Sequence, residues 1–162
     1  VINITNENSH IQLIGLMIDV TETKEALYGQ NISESKYITL FRYAVDPLII
    51  IDLESNDIID SNDKAISLFG LNNINGQVSL SDFSPITQPD GSNSKKQLTK
   101  ILKKLINTQS INLDWNLYNK SHEIMLCNLD IVKLPNQTKN IVLVNINDIT
   151  EIRQHERKIQ RI

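Results

Sequence analysis

Residues 111–117 alternate without a break. Ile111, Leu113, Trp115 and Leu117 are apolar, and Asn112, Asp114 and Asn116 between them are polar. A side-chain period of two belongs to a β-strand with one face on a core and the other in water. After turn residues Asn119-Lys120-Ser121-His122, residues 123–132 form a second strand that places Met125, Cys127, Leu129 and Ile131 on one face. Pro135-Asn136-Gln137 turns the chain again, and residues 140–149 form a third. Strands joined by such short turns pair antiparallel. Whatever else the chain does, its second half is a three-stranded meander.

The first half supplies a partner for that meander. Leu48–Asp52, opening with four apolar residues, reads as a buried strand, Glu54-Ser55-Asn56 is a turn, and Asp57–Asp60 is a short second strand. Ser61 or Asn62 caps a short helix that ends at Phe69-Gly70, where glycine suits the left-handed residue after a helix. Residues 71–93 are loop-rich, with Pro85, Pro89 and Asp90-Gly91 as turn markers. Lys95–Asn107 is a helix with Leu98, Ile101, Leu102 and Leu105 in one stripe. Thr150 caps a last helix that runs to the end. Two strands, several short helices, three antiparallel strands and an exit helix make an α+β fold, one sheet packed by helices on one side.

Composition excludes several classes. The net charge is -3 and no Lys/Arg block stands out, which argues against nucleic acid as a partner. One cysteine rules out an internal disulfide framework and an all-cysteine metal site. The longest apolar run, Leu48–Ile51, is far below the roughly 18 residues of a membrane span, so no direct membrane contact is expected. The absence of Met at position 1 suggests an excised piece of a longer chain.

A long-range repeat gives the domain plan. Ile14–Glu22 and Leu143–Glu151 both run from an apolar strand into Asp-(Val/Ile)-Thr-Glu and then a charged helix, at an offset of 148 − 19 = 129 residues. That spacing fits tandem whole domains. Residues 1–19 read as the last hairpin of a preceding domain, 20–45 as a helical linker, 46–149 as a complete domain and 150–162 as the start of an output linker helix. In the linker, Tyr37, Leu40, Phe41 and Ala44 form an apolar docking stripe, ended by Asp46-Pro47.

The order of elements, with residues 37–52, Asn62–Gly70, Asp82-Phe83-Ser84-Pro85, Gln88-Pro89-Asp90-Gly91 and the closing Asp148-Ile149-Thr150-Glu151, resembles a PAS (sensory box) domain. The match covers about Ser35 to the C-terminus. The resemblance implies a five-stranded antiparallel sheet in the order 2-1-5-4-3 with helices around a small pocket. It also implies a non-catalytic sensory or dimerising module in a bacterial, cytoplasmic signalling protein, relaying ligand or partner state through the exit helix. Residues 156–162 resemble the linker that precedes a diguanylate cyclase (GGDEF) domain, with the histidine kinase of a two-component system as the alternative output. A ligand-free structural spacer is the other reading of the domain itself.

No catalytic constellation and no metal-ligand spacing emerges from the single cysteine and three histidines. Cys127 lies on a strand and outside the Asn-Cys-Arg motif of flavin photosensors, so it reads as a buried small hydrophobe. The Lys95–Asn107 helix has no histidine to ligate haem. No cofactor is therefore expected, although a small-molecule ligand is compatible with the fold. Pocket candidates are Phe69, Phe83, Leu98, Ile101, Leu102, Leu105, Trp115, Cys127 and Val144, which serve equally as ordinary core. Strand parity places Asn145 outside, with Leu143 and Asn147. Asp148 and Thr150 stand at the joint between last strand and exit helix, and the resemblance implies that this pair relays the signal.

The exit helix carries one further pattern. Ile152 and Ile159 take heptad position a, and His155 and Ile162 position d, leaving Arg153, Glu156, Arg157, Lys158 and Arg161 outside the seam. Two parallel chains would form a homodimer with the two His155 side chains facing each other. An exposed histidine on a short frayed helix is the alternative.

Overall fold

A computed structural model describes residues 35–36, 38–72, 77–135 and 138–161. The expected remnant hairpin at 1–19, the first part of the helical linker, Tyr37 and Ile162 lie outside the described residues.

Five strands form one sheet: β1 (Leu48–Asp52), β2 (Ile58–Ser61), β3 (Ser110–Tyr118), β4 (Ile124–Lys133) and β5 (Ile141–Asp148). Their order is β2-β1-β5-β4-β3, and every neighbouring pair is antiparallel. The helices are α1 (Asp63–Phe69), α2 (Ser94–Lys104) and α3 (Thr150–Gln160), with a 3-10 turn at Leu80–Phe83. The α+β class is the one expected from the residues, and the strand order is the one that the resemblance implied. None of these helices is long and apolar enough to cross a membrane.

The period-two strands behave as their pattern requires. Leu117, Cys127, Leu129, Ile131, Val142, Val144 and Ile146 all point into one core and are fully buried. Leu98, Ile101 and Leu102 of α2 close that core, and Ala65 and Phe69 of α1 close it at the β1 side. The strand β1 shows no alternation because it is buried on both faces. Its Ile49 and Ile51 join the main core, whereas Ile50 packs on the outer face with Leu134 and Ile141.

Phe41 covers that outer patch, from a leading helical stretch at 38–42. The expected docking stripe is thereby reduced. Leu40 is 56% exposed, and the helix stops before Ala44, well short of Pro47. Asn145 does lie on the outer face, but it is half-buried rather than free in solvent, with its Nδ2 donating to Asp46 Oδ2 at 3.4 Å.

Of the two cap candidates before α1, Asn62 is the cap and Ser61 ends β2. Asn62 is fully buried and does more than cap. Its Oδ1 accepts from Ala65 N (3.0 Å) and from Leu48 N (2.9 Å), and its Nδ2 donates to the Asp46 carbonyl (3.0 Å). One side chain thus starts α1 and fixes the entry to β1. At the other end, Gly70 sits at φ 72 and donates its N–H to the Ile66 carbonyl at 2.8 Å, the left-handed closure expected of that glycine.

Replacing Asn62 by Ala would strand Leu48 N–H and the Asp46 carbonyl as well as remove a cap. The expected loss is about 2–4 kcal/mol, whereas Asn93→Ala, which removes the single exposed cap bond to Lys96 N at 3.0 Å, should cost about 1 kcal/mol. Urea unfolding of the two variants side by side checks the ranking; equal losses would refute the double role of Asn62.

Candidate functional site

All nine pocket candidates meet in one place. Phe69, Leu98, Ile101, Leu102, Leu105, Trp115, Cys127 and Val144 belong to the main core, and Phe83 packs against it. The Phe69 and Phe83 rings lie 4.9 Å apart at 43°. Trp115 Nε1 donates to Ser84 Oγ at 2.9 Å, so the indole is oriented by the loop before α2. Leu105, Cys127 and Val144 have no exposed surface, and Leu105 stands just after α2, not within it.

Four of the nine line two clefts at the surface. Ile101 and Trp115 line a cleft of about 300 Å³ along the β3 edge, with Gln88, Asp90, Leu113 and Asp114. Leu98 and Leu102 floor a more polar cleft of about 270 Å³, bordered by Asp57, Asp82 and Lys95. Gln88, in the lining of the first cleft, is hydrogen-bonded to the β3 edge. Its Oε1 accepts from Asn116 N (2.8 Å), and its Nε2 donates to the Asn116 carbonyl (3.3 Å) and to Ser94 Oγ (2.8 Å). A side-chain amide here pairs with an edge strand as a neighbouring strand would. The sequence marks Gln88 only as part of a turn, because its partner is 28 residues away.

Cys127 stands in the middle of the core on β4, opposite Trp115 on β3 and Asp148 on β5. Burial, and secondarily the negative charge of Asp148, push its thiol up to about 12. Such a thiol is neutral and shielded, the reverse of a reactive nucleophile. No group of three or more His, Cys, Asp or Glu side chains among the described residues is placed to hold a metal ion.

At the start of α3 the structure departs from the sequence expectation. Thr150 is the first helical residue and does not cap the helix; Ile149 occupies the cap position without a side-chain bond. The reason is that the threonine hydroxyl is engaged elsewhere. It accepts from Leu126 N (3.0 Å) and donates to Asp148 Oδ1, which also accepts from Thr150 N (3.0 Å). Ile149 N donates to the Leu126 carbonyl at 2.8 Å. Both backbone groups of Leu126 on β4 are therefore held by the joint between β5 and α3.

Beyond this joint α3 has no buried residue. Ile152 is 55% and Ile159 70% exposed, and His155 is exposed beside them. Arg153 points back to the sheet, where its Nη2 meets Asp114 Oδ2 on β3 at 3.0 Å.

The chain belongs to the PAS domain family, whose family model matches residues 45–151. Solved structures agree on the fold. The PAS domain of an HTR-like protein from Haloarcula marismortui is 12% identical, covers 78% of this chain and all of its own, and superposes with a TM-score of 0.61. A domain of a sensory box sensor histidine kinase/response regulator from Geobacter sulfurreducens is 18% identical over 78% of this chain and all of its own, at 0.57. The PAS domain of the fruit-fly ELK potassium channel is 22% identical over 72% of this chain and 96% of its own, at 0.54. None of the curated proteins matches the chain significantly. A sensory rather than catalytic domain is what this family membership defines.

The Cys127 thiol should resist a thiol reagent at about pH 8 in the folded chain and react at once in urea. Because the folded value is raised from 9.0, the stabilisation by the neutral buried thiol is complete below about pH 9 and is lost as pH rises through about 12. The stability advantage of the native chain over Cys127→Ala should accordingly shrink between about pH 9 and pH 11. An advantage that stays constant over that range would contradict the assignment.

Proposed function

We propose that this PAS domain is a non-catalytic relay. A ligand or partner state alters the sheet, the sheet moves α3, and α3 sets the geometry of an output domain in the same chain. The observation that carries this reading is the joint at Leu126, Asp148 and Thr150. It ties α3 to the middle of the sheet by hydrogen bonds while leaving the whole helix free of the core.

The proposed output is a diguanylate cyclase, on the likeness of residues 156–162 to the linker that precedes one. A histidine kinase is the second reading, favoured by two similar structures whose descriptions are of sensor histidine kinases. We further propose that the domain needs neither haem nor flavin, and that the relay works as a homodimer joined along α3 at Ile152, His155 and Ile159, with Ile162 next in the repeat. A ligand-free spacer is the alternative to a sensor, supported by full burial of Leu105, Leu117, Cys127, Leu129 and Val144. Mass spectrometry of the denatured purified chain separates these two: a retained small molecule supports the sensor, and its absence the spacer.

Asp148→Ala in the longer signalling chain should change regulated output strongly while lowering stability by only about 1 kcal/mol. Regulation unchanged alongside a large fall in melting temperature would contradict the relay. For the dimer seam, sedimentation should show association that weakens when Ile152 or Ile159 is replaced by Asp. Association unaffected by either change would remove α3 from the seam.

A further inference from the structure

The exit helix has no apolar anchor, so its direction is set by polar contacts alone. The joint at Thr150 fixes one point on β4, and a helix held at one point can pivot. Arg153, one turn further on, supplies a second point on another strand. Its guanidinium donates to Asp114 Oδ2 on β3 at 3.0 Å and to Glu156 Oε2 within α3 at 3.2 Å.

Asp114 is itself held. Its Oδ1 accepts from Asn128 Nδ2 on β4 at 3.0 Å, and Asn128 and Asn112 exchange a reciprocal pair of amide hydrogen bonds at 2.9 and 3.0 Å. Asp114 also belongs to two clefts. One is the 300 Å³ cleft between β3 and α2 that Trp115 and Ile101 line. The other, of about 360 Å³, lies between the sheet and α3 and is lined by Asp114, Leu126, Arg153, Glu156, Arg157 and Gln160. Any shift of the β3 edge therefore displaces the carboxylate that Arg153 grips.

We propose that Arg153 and Asp114 are a positioning pair that sets the direction of the exit helix and couples it to the cleft at the β3 edge. The inference rests on the reading of α3 as the output path. The geometry favours leverage: Arg153 lies about 4.5 Å along the helix from Thr150 and Lys158 about 12 Å, so a displacement at the pair is more than doubled at Lys158. The pair is half-exposed, at 46% and 39%, so its contribution to global stability is small. Direction and stability should consequently separate, which a merely structural contact would not show.

The test uses the full 162-residue chain with nitroxide labels on Lys96→Cys of α2 and Lys158→Cys of α3, the native Cys127 being buried and unlabelled. Pulsed electron–electron double resonance, on labelled chain diluted with an excess of unlabelled chain so that only the distance within one chain is read, should give one narrow distance. Asp114→Asn and Arg153→Gln should each broaden and shift it, the double variant should go no further than either single one, and the melting temperature should move by less than about 5 °C. Salt at about 1 M, which shortens screening to about 3 Å, should broaden the unsubstituted chain and leave the double variant unchanged. Single variants that keep the original distance, a double variant that broadens as the sum of the two, or salt acting equally on both chains would each overturn the proposal. These distances are independent of any output domain, so their failure leaves the relay reading standing, and that reading fails instead if Asp148→Ala has no effect on output.

Discussion

Burial of one sheet face is the constraint from which the rest of this structure follows. Ile49 and Ile51 of β1, Leu117 of β3, Cys127, Leu129 and Ile131 of β4, and Val142, Val144 and Ile146 of β5 are all without exposed surface. Covering that face takes Leu71 and Leu80 and two helices, α1 and α2, which turn apolar residues inward. Close packing of this kind transmits small displacements, because neighbours have no free volume into which to relax. The third helix is left over. With no apolar stripe inside the core, it is attached where β5 ends, by hydrogen bonds rather than by packing.

The opposite sheet face is built differently. Near β1 and β5 it carries the small apolar cluster of Ile50, Leu134 and Ile141 under Phe41. Toward β3 it becomes a polar surface where Asn112, Asp114 and Asn128 hydrogen-bond across the strands. That surface is where α3 touches down through Arg153. Two chemically distinct halves of one face thus meet the described ends of the chain, Phe41 on one side and α3 on the other.

Much of this was legible from the chain alone, for identifiable reasons. The unbroken alternation at 111–117 and on residues 125–131 set strand identity and buried face, and the four apolar positions of 98–105 set the inward side of α2. The end of α1 at Gly70 was legible because only a residue tolerant of positive φ closes a helix that way. What escaped depends on pairing between distant residues. Gln88 bonding Asn116, Asn62 holding Leu48, and Arg153 meeting Asp114 all join positions that no local pattern connects. The assignment of Thr150 as a cap failed for the same reason: its hydroxyl is committed to Leu126, 24 residues upstream. The nine apolar pocket candidates share the main core, but a list of apolar positions does not say which of them line a cleft and which simply fill the core.

The central claim is that the exit helix is fastened to the sheet through the backbone of Leu126. Hydrogen exchange at the Leu126 amide tests it most directly, comparing the native chain with Thr150→Val, which keeps the shape of the side chain and removes the oxygen acceptor. The account predicts a protected Leu126 amide in the native chain and exchange faster by about tenfold in the variant, the equivalent of one lost hydrogen bond, with the neighbouring β4 amides unchanged. A Leu126 amide that exchanges freely in the native chain, or one whose protection survives the substitution, would contradict it.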